Sequence, residues 1–212
     1  MKTKVWPVSL RVFHWLLAVG FIFAYVLGEK DDLRNLHEAF GLMVGSLIVL
    51  RFFYGLFGTE YTRFSAFSIG VKNQVEFFRS FLGKPKTYAG HNPLAALIML
   101  AILIAGLLTA LSGFLLYGGE NDIVNIGNGE DFLEEAHEVM ANLFLGLVIL
   151  HLAGLLVDRL VHKTHRSVFS MFNGEKNVEG TSYKLNLFQK IYGIVWIVVP
   201  ILVFLAFLIR AE

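Results

Sequence analysis

The sequence predicts an all-α membrane protein, with a four-helix transmembrane bundle and a fifth transmembrane helix towards the C-terminus. Two observations lead to this prediction. Of the 212 residues, 56% are hydrophobic and only 17% are charged, against roughly 25% charged in a typical soluble domain. The apolar residues also gather into five runs, each close to the ~20 residues with which a helix crosses ~30 Å of hydrocarbon.

The five runs divide the chain into a bundle and an appended helix. They cover residues 10–28, 39–58, 93–117, 139–157 and 191–209. We expect residues 1–160 to form the four-helix core, 161–190 a cytoplasmic loop and 191–209 the additional helix. The first run follows basic residues, as a signal peptide does, but it is long for one and lacks a small-residue cleavage site. It is therefore interpreted as a retained helix.

The distribution of charge predicts how the helices are oriented. With a cytoplasmic N-terminus, the inner segments 1–11, 59–92 and 158–190 hold 14 of the 18 Lys and Arg residues. The positive-inside rule therefore predicts a multi-pass protein of the bacterial inner membrane, with a cytoplasmic N-terminus and a periplasmic C-terminus. The formal net charge is +1, which gives no indication of nucleic-acid binding.

The outer loop at 118–138 is acidic. It has no Lys or Arg, and seven of the chain's 17 carboxylates lie between Glu120 and Glu138. Such a face suits docking of a basic partner protein, although acidic residues that merely solvate a loop would give the same pattern.

The inner segment 59–92 has apolar residues at helical spacing among basic ones. This pattern predicts a surface helix lying on membrane lipid at the inner leaflet. Its apolar positions are Val71, Val75, Phe78, Phe81 and Leu82.

Four of the seven histidines are placed so that they form two pairs. His14 near the inner end of the first helix and His151 on the fourth fall towards the cytoplasmic side. His37 and His137, at the outer starts of the second and fourth helices, fall towards the other side. Each level thus receives one imidazole from each of two helices, as bis-histidine haem ligation requires. We predict two haem b groups with these four histidines as iron ligands.

The spacing of His137 and His151 favours two separate large cofactors. Fourteen residues give about 21 Å of rise and about 40° less than four full turns, so both side chains share one helix face at two depths. A zinc ion needs three or four ligands around one point, which this spacing forbids for residues on one helix. The chain has no cysteine, so any haem is held non-covalently.

Three glycines are candidates for contact with the haems. Gly41 and Gly45 follow His37 by one and two turns, and Gly154 follows His151 by one turn. Small residues there let a porphyrin approach the backbone. Helix–helix packing would explain glycines at such spacing equally well.

Two arginines are candidate partners for an inner haem propionate. Arg51 is the one charge deep within an apolar run, and it follows His37 by 14 residues, on the same face at the inner depth. Arg11 precedes His14 by one turn, although anchoring by the positive-inside rule explains Arg11 as well.

The remaining histidines are interpreted differently. In the string Gly90-His91-Asn92-Pro93, Asn92 is a candidate N-cap and Pro93 suits the first turn of the third helix. His91 is therefore interpreted as a structural residue or a contact near the inner haem rather than a ligand. His162 and His165 lie among basic residues and are interpreted as solvated.

The string Arg11-Val12-Phe13-His14-Trp15 resembles the R-x-x-H-W signature of bacterial cytochrome b-561 proteins and of the cytochrome b subunits of Ni–Fe hydrogenases. The string His37-Glu38-x-x-Gly41, the turn at residues 90–93 and the histidines at 137 and 151 also resemble this family. The resemblance covers roughly residues 5 to 165 and leaves the fifth helix out. It implies a core that binds two b haems through the four histidines. It also implies electron exchange between an outer redox protein and a membrane quinone.

Three functions are compatible with these features. The first is an electron-transfer subunit that connects an outer c-type cytochrome, dehydrogenase or hydrogenase subunit with the quinone pool. The second is a self-contained quinone-coupled oxidoreductase acting on a small species such as superoxide, for which Lys30 and Arg34 are the only local basic candidates. The third is a haem-free proton or ion transporter, disfavoured because the apolar runs contain no Asp or Glu and no inverted repeat is evident.

Overall fold

Five long helices dominate the part of the chain that the structure describes. This computed structural model describes residues 2–80, 83, 86–161 and 167–211. The long helices are α1 (Val8–Leu27), α2 (Arg34–Phe57), α4 (Pro93–Glu120), α5 (Glu130–Val161) and α7 (Leu187–Ala211). The shorter elements are α3 (Val71–Ser80), α6 (Ser170–Asn173), β1 (Thr3–Lys4) and β2 (Glu175–Lys176). All five long helices are long and apolar enough to cross a membrane, which confirms the predicted fold class.

Four of the five long helices begin earlier than their apolar runs, and the difference is largest for α2 and α5. The helix α2 begins at Arg34 rather than at residue 39, and α5 begins at Glu130 rather than at residue 139. Polar residues continue both helices beyond the apolar run, and Arg34 pairs with Glu38 one turn later at 3.1 Å. An apolar run marks the part of a helix that lies in hydrocarbon, and polar residues extend the helix into the interface. His37 and His137 consequently lie one and two turns inside their helices.

The third long helix, α4, begins as the sequence predicts. The side chain of Asn92 accepts a hydrogen bond from the amide of Ala95 at 2.8 Å, and Pro93 is the first residue of α4. The N-cap prediction is therefore confirmed.

The long helices enclose an interior between α1, α2 and α5. The helix α2 packs against α1, α4 and α7, whereas α5 packs closely only along α4 among the described residues. Where α1 faces α5, the rings of Phe21 and Phe144 stack with their centres 4.1 Å apart. A Cβ at Gly106 of α4 would lie 2.8 Å from Phe144 Cε1, so this glycine lets the Phe144 ring reach the interior. This aromatic contact bridges α1 and α5 at mid-depth, and a hydrogen bond from the Tyr25 hydroxyl to Asn142 joins them further out.

The fifth helix is an integral part of the bundle. Three side chains on one face of α7 donate hydrogen bonds to backbone carbonyls of α2. The pairs are Gln189 with Phe57 at 2.8 Å, Tyr192 with Leu50 at 2.8 Å and Trp196 with Leu47 at 3.1 Å. Trp196 is fully buried and lies 4.5 Å from the ring of Phe13 on α1. The helix α7 therefore holds α1 and α2 together.

The N-terminus is joined to the segment before α7 by a structure that we call the terminal cap, comprising residues 2–6 and 167–183. Its strands pair antiparallel, with Thr3 opposite Lys176. Gly174 ends α6 at a φ of +81°, a conformation suited to glycine, and its carbonyl accepts from the amide of Val5 at 2.8 Å. The sequence did not predict these strands, because two residues are too few to show the alternation of apolar and polar residues that marks a strand.

The predicted surface helix is present as α3. Val71, Val75 and Phe78 are exposed along one side of it, whereas Phe77 is buried. Its contact with the inner leaflet stays a prediction. Phe81 and Leu82 lie outside the described residues, as do His162 and His165.

We expect Phe144→Ala to destabilise the bundle, because it removes the ring that fills the interior between α1 and α5. The free energy of unfolding should fall by about 3–5 kcal/mol, measured by detergent-induced unfolding in mixed micelles. The matched control is Leu143→Ala, since Leu143 is 48% exposed and should change stability by about 0.5 kcal/mol or less. Equal losses in the two variants would contradict this role for Phe144.

Candidate functional site

The structure brings His37 and His137 together, and we call this pair the His37 level. Their ring centres are 5.9 Å apart and their planes are inclined at 78°. Nδ1 of His37 lies 2.8 Å from the carbonyl oxygen of Ala24, and Nδ1 of His137 lies 3.0 Å from that of Thr109. A carbonyl only accepts hydrogen bonds, so each Nδ1 carries the proton and each Nε2 keeps its lone pair. Both rings are therefore in the tautomer that binds a metal through Nε2.

The separation of these rings suits one metal ion between them. An imidazole nitrogen binds a transition metal at about 2 Å, so two imidazoles on opposite sides of one ion have ring centres about 6 Å apart. No group of three or more His, Asp or Glu side chains converges elsewhere in the described residues to hold a metal. Two imidazoles at this separation match the ligand set of a bis-histidine iron.

Two glycines that the sequence analysis did not single out make room for these rings. A Cβ would lie 3.4 Å from Cε1 of His37 at Gly28 and 2.8 Å from Cε1 of His137 at Gly113. Gly28, the residue directly after α1, follows His14 by 14 residues, a spacing that could have revealed it. Gly113 lies on α4, which carries no paired histidine, so no pattern in the sequence pointed to it.

His14 and His151 form the second pair, which we call the His14 level. An electrostatic interaction links the side chains of His14 and His151. Nδ1 of His14 is buried and has no hydrogen-bond partner among the described residues. The His14 level therefore has an imidazole nitrogen that protein groups leave unsatisfied.

Arg51 is at the His14 end of the bundle and is only 1% exposed. Its Nη2 donates to the carbonyl of Thr62 at 2.8 Å, and its guanidinium lies 4.9 Å from the ring centre of Phe64. Its Nη1 is buried without a partner in the described residues. The guanidinium therefore has a donor free for an anion, as a propionate partner requires.

Arg11 has a structural partner. Its guanidinium donates to the carbonyl of Phe172 at the end of α6, which ties α1 to the terminal cap. Its Nε is buried and unpartnered within the described residues. One nitrogen of Arg11 thus stabilises the fold, and its Nε is available to a ligand.

The three predicted glycines differ in their surroundings. At Gly41 and Gly154, no described atom lies within 4 Å of an added Cβ, whereas at Gly45 the Cβ of Ala110 would be 2.9 Å away. Gly41 and Gly154 lie on the histidine faces of their helices, one turn from His37 and His151. Helix packing accounts for Gly45, and the other two leave space beside the histidines.

An apolar layer lies midway between the two histidine levels. Phe21 follows His14 by seven residues, and Phe144 lies seven residues from both His137 and His151. Seven residues fall about 20° short of two helical turns, so these rings share the faces of the histidines. Their stack therefore separates the two levels.

Paired imidazoles at two depths of an apolar helical bundle are typical of membrane cytochromes of the b type. The family model described as prokaryotic cytochrome b561 matches residues 5–174, and the chain belongs to this family. It is accordingly a membrane cytochrome b of a family that binds haem b and transfers electrons across the membrane, which confirms the resemblance found in the sequence. Comparison with curated proteins and with solved structures gives no significant match.

We expect Gly113→Ala to reduce haem content. The added methyl group would lie 2.8 Å from Cε1 of His137, so the imidazole must move and its bond to Thr109 must lengthen. The measurement is the haem-to-protein ratio from visible absorbance of the purified protein. Gly146→Ala on α5 is the control, because no described atom lies within 4 Å of an added Cβ there. Unchanged haem content in Gly113→Ala would show that the ring position is unimportant.

Proposed function

We propose that the protein carries electrons across the membrane through two haem b groups, one held by His37 and His137 and the other by His14 and His151. The observation that carries this proposal is the His37 level. There, two imidazoles from different helices lie 5.9 Å apart, and each Nδ1 is bonded to a backbone carbonyl. Iron held in this way supplies reversible one-electron chemistry.

Other residues of the protein orient the histidine ligands and would surround each haem. The carbonyls of Ala24 and Thr109 hold the imidazoles in orientation and increase the basicity of Nε2. Arg51 and Arg11 offer donors to propionates at the His14 level. Gly41 and Gly154 leave space for porphyrin faces, and the Phe21–Phe144 stack keeps the two haems apart.

The charge distribution supports an orientation for this path. With the basic segments in the cytoplasm, the His14 level is cytoplasmic and the His37 level is periplasmic. Electrons would then pass between a quinone in the membrane and a redox protein at the outer face, such as a c-type cytochrome, a dehydrogenase or a hydrogenase subunit.

The outer end of α5 offers a face for such a protein. Glu130, Asp131, Glu134 and Glu135 are exposed. No Lys or Arg of the described residues forms an ion pair with them. Glu120 differs, because Arg34 pairs with it, so the loop is less acidic than its sequence alone indicates. The acidic docking face therefore centres on the first turns of α5.

The same ion pairs weigh against a stand-alone enzyme acting on superoxide. Such an anion needs an exposed basic group near the outer haem, and Arg34 is engaged by Glu38 and Glu120. Lys30 and Arg210 are then the remaining basic side chains at this end in the described residues. Electron transfer to a partner protein accounts better for the surface charge than a reaction with superoxide does.

Substitution of each histidine should remove haems in pairs. We expect His14→Ala and His151→Ala to lose one haem, and His37→Ala and His137→Ala to lose the other. Each variant should keep about half of the wild-type haem, measured by haem extraction and by reduced-minus-oxidised visible spectra.

His165→Ala serves as the control for these variants, because this histidine is interpreted as solvated. A different grouping, such as loss of the same haem from His14→Ala and His37→Ala, would contradict the pairing.

Neutralising the acidic face should slow reaction with a basic partner. We expect the combined change of Glu130, Glu134 and Glu135 to Gln and Asp131 to Asn to lower the rate of electron exchange with a basic c-type cytochrome about tenfold at low salt. The salt dependence of the rate should also flatten, because fewer charge pairs are left to screen. Stopped-flow absorbance measures both.

The control for this variant is the double change Glu60→Gln and Glu179→Gln, which removes exposed carboxylates at the opposite end. An unchanged rate and salt dependence in the variant of the acidic face would exclude that face as the docking site.

A further inference from the structure

A buried lysine lies in the terminal cap, outside the residues matched by the family. Lys176 is on β2 and is only 8% exposed. Its Nζ donates to the carbonyl of Gly90 at 2.7 Å and lies 5.2 Å from the ring centre of Trp6. Burial lowers the pKa of Lys176 to about 8, with Asp158 acting in the opposite direction. Burying an ammonium group is costly, so its retention here suggests a binding role.

Lys176 belongs to a cluster of buried donors. His91 packs between Trp6 and Phe67, with ring centres 4.7 and 5.3 Å away. Burial lowers the pKa of His91 well below its usual range, and the charges of Lys176, Arg51 and His151 lower it further. His91 thus interacts electrostatically with all three groups, and its ring contact with Trp6 connects the cap to the His14 level.

The donors of this cluster are not all satisfied by protein groups. Nδ1 of His91 and Nη1 of Arg51 are buried without partners in the described residues. A buried charge that lacks a counter-charge destabilises the folded protein. Asp158 acts on Lys176, but no carboxylate of the described residues acts on Arg51. Arg51 thus has no carboxylate acting on it within the described residues, and the cluster is suited to bind an anion.

We propose that Lys176 and His91 complete, together with Arg51, a carboxylate site for the propionates of the haem at the His14 level. This inference rests on the proposed function, because it requires a haem between His14 and His151. The ammonium and guanidinium groups supply the counter-charge, and Nδ1 of His91 donates a hydrogen bond. The site is shared between the bundle and the terminal cap, so residues beyond 174 take part in holding this haem.

Lys176→Gln tests the proposal through the haem potentials. A positive charge near a haem favours the reduced state, so its removal should lower one of the two midpoint potentials and leave the other unchanged. The affected haem should be the one that is lost in His14→Ala. Redox titration of the purified protein, followed by visible spectra, measures both potentials.

Three further variants separate charge from structure. Lys176→Met retains the apolar stem over Trp6 and should act like Lys176→Gln, whereas Lys176→Arg keeps the charge and should restore the potential. Lys184→Gln removes an exposed lysine of the same segment and should change nothing. Loss of the same single haem from both neutral variants also supports the proposal.

Two outcomes would overturn it. The first is that neither haem, or both haems equally, respond to the neutral variants, as expected if the cluster binds a lipid phosphate or only supports the fold. The second is that Lys176→Arg behaves like Lys176→Gln. In either case a normal haem content in the wild type would leave the proposed function intact, whereas a wild type without haem would refute that function itself.

Discussion

Side chains spaced seven residues apart share one face of a helix, since seven residues fall only about 20° short of two turns. Three helices turn such a face towards the same interior. The series are His14 and Phe21 on α1 with Gly28 directly after it, His37, Val44 and Arg51 on α2, and His137, Phe144 and His151 on α5. Because α1 and α2 follow one another in opposite directions, their series meet in reverse order, as the contact of Gly28 with His37 shows. The two histidine levels and the apolar layer between them depend on this register.

Polar groups inside a membrane bundle need hydrogen-bond partners. The partner that each group takes determines which of its atoms stay available to bind a ligand. At the His37 level, backbone carbonyls of α1 and α4 take the Nδ1 protons and leave Nε2 for a metal. At the other level, the loop after α2 takes only part of the hydrogen-bonding capacity of Arg51. The two levels therefore differ chemically, although each contains two imidazoles.

The residues beyond the family match support the site from outside. Hydrogen bonds from α7 fix the backbone of α2, which carries both His37 and Arg51. The terminal cap covers the end of the bundle near His91 and joins it to the N-terminus. A chain that ended at residue 174 would keep the four histidines but lose these supports.

The sequence by itself determined the fold class, the five membrane-crossing helices and the family, because hydropathy and the string Arg11-Val12-Phe13-His14-Trp15 are local properties. It also placed the four histidines and Arg51 at two depths, because helical rise and rotation are fixed per residue. Tertiary structure decided the rest. Gly113 faces His137 only because α4 packs along α5, and Lys176 is buried only because β2 pairs with β1 across most of the chain. Such contacts depend on how elements pack, and no periodicity within one element encodes them.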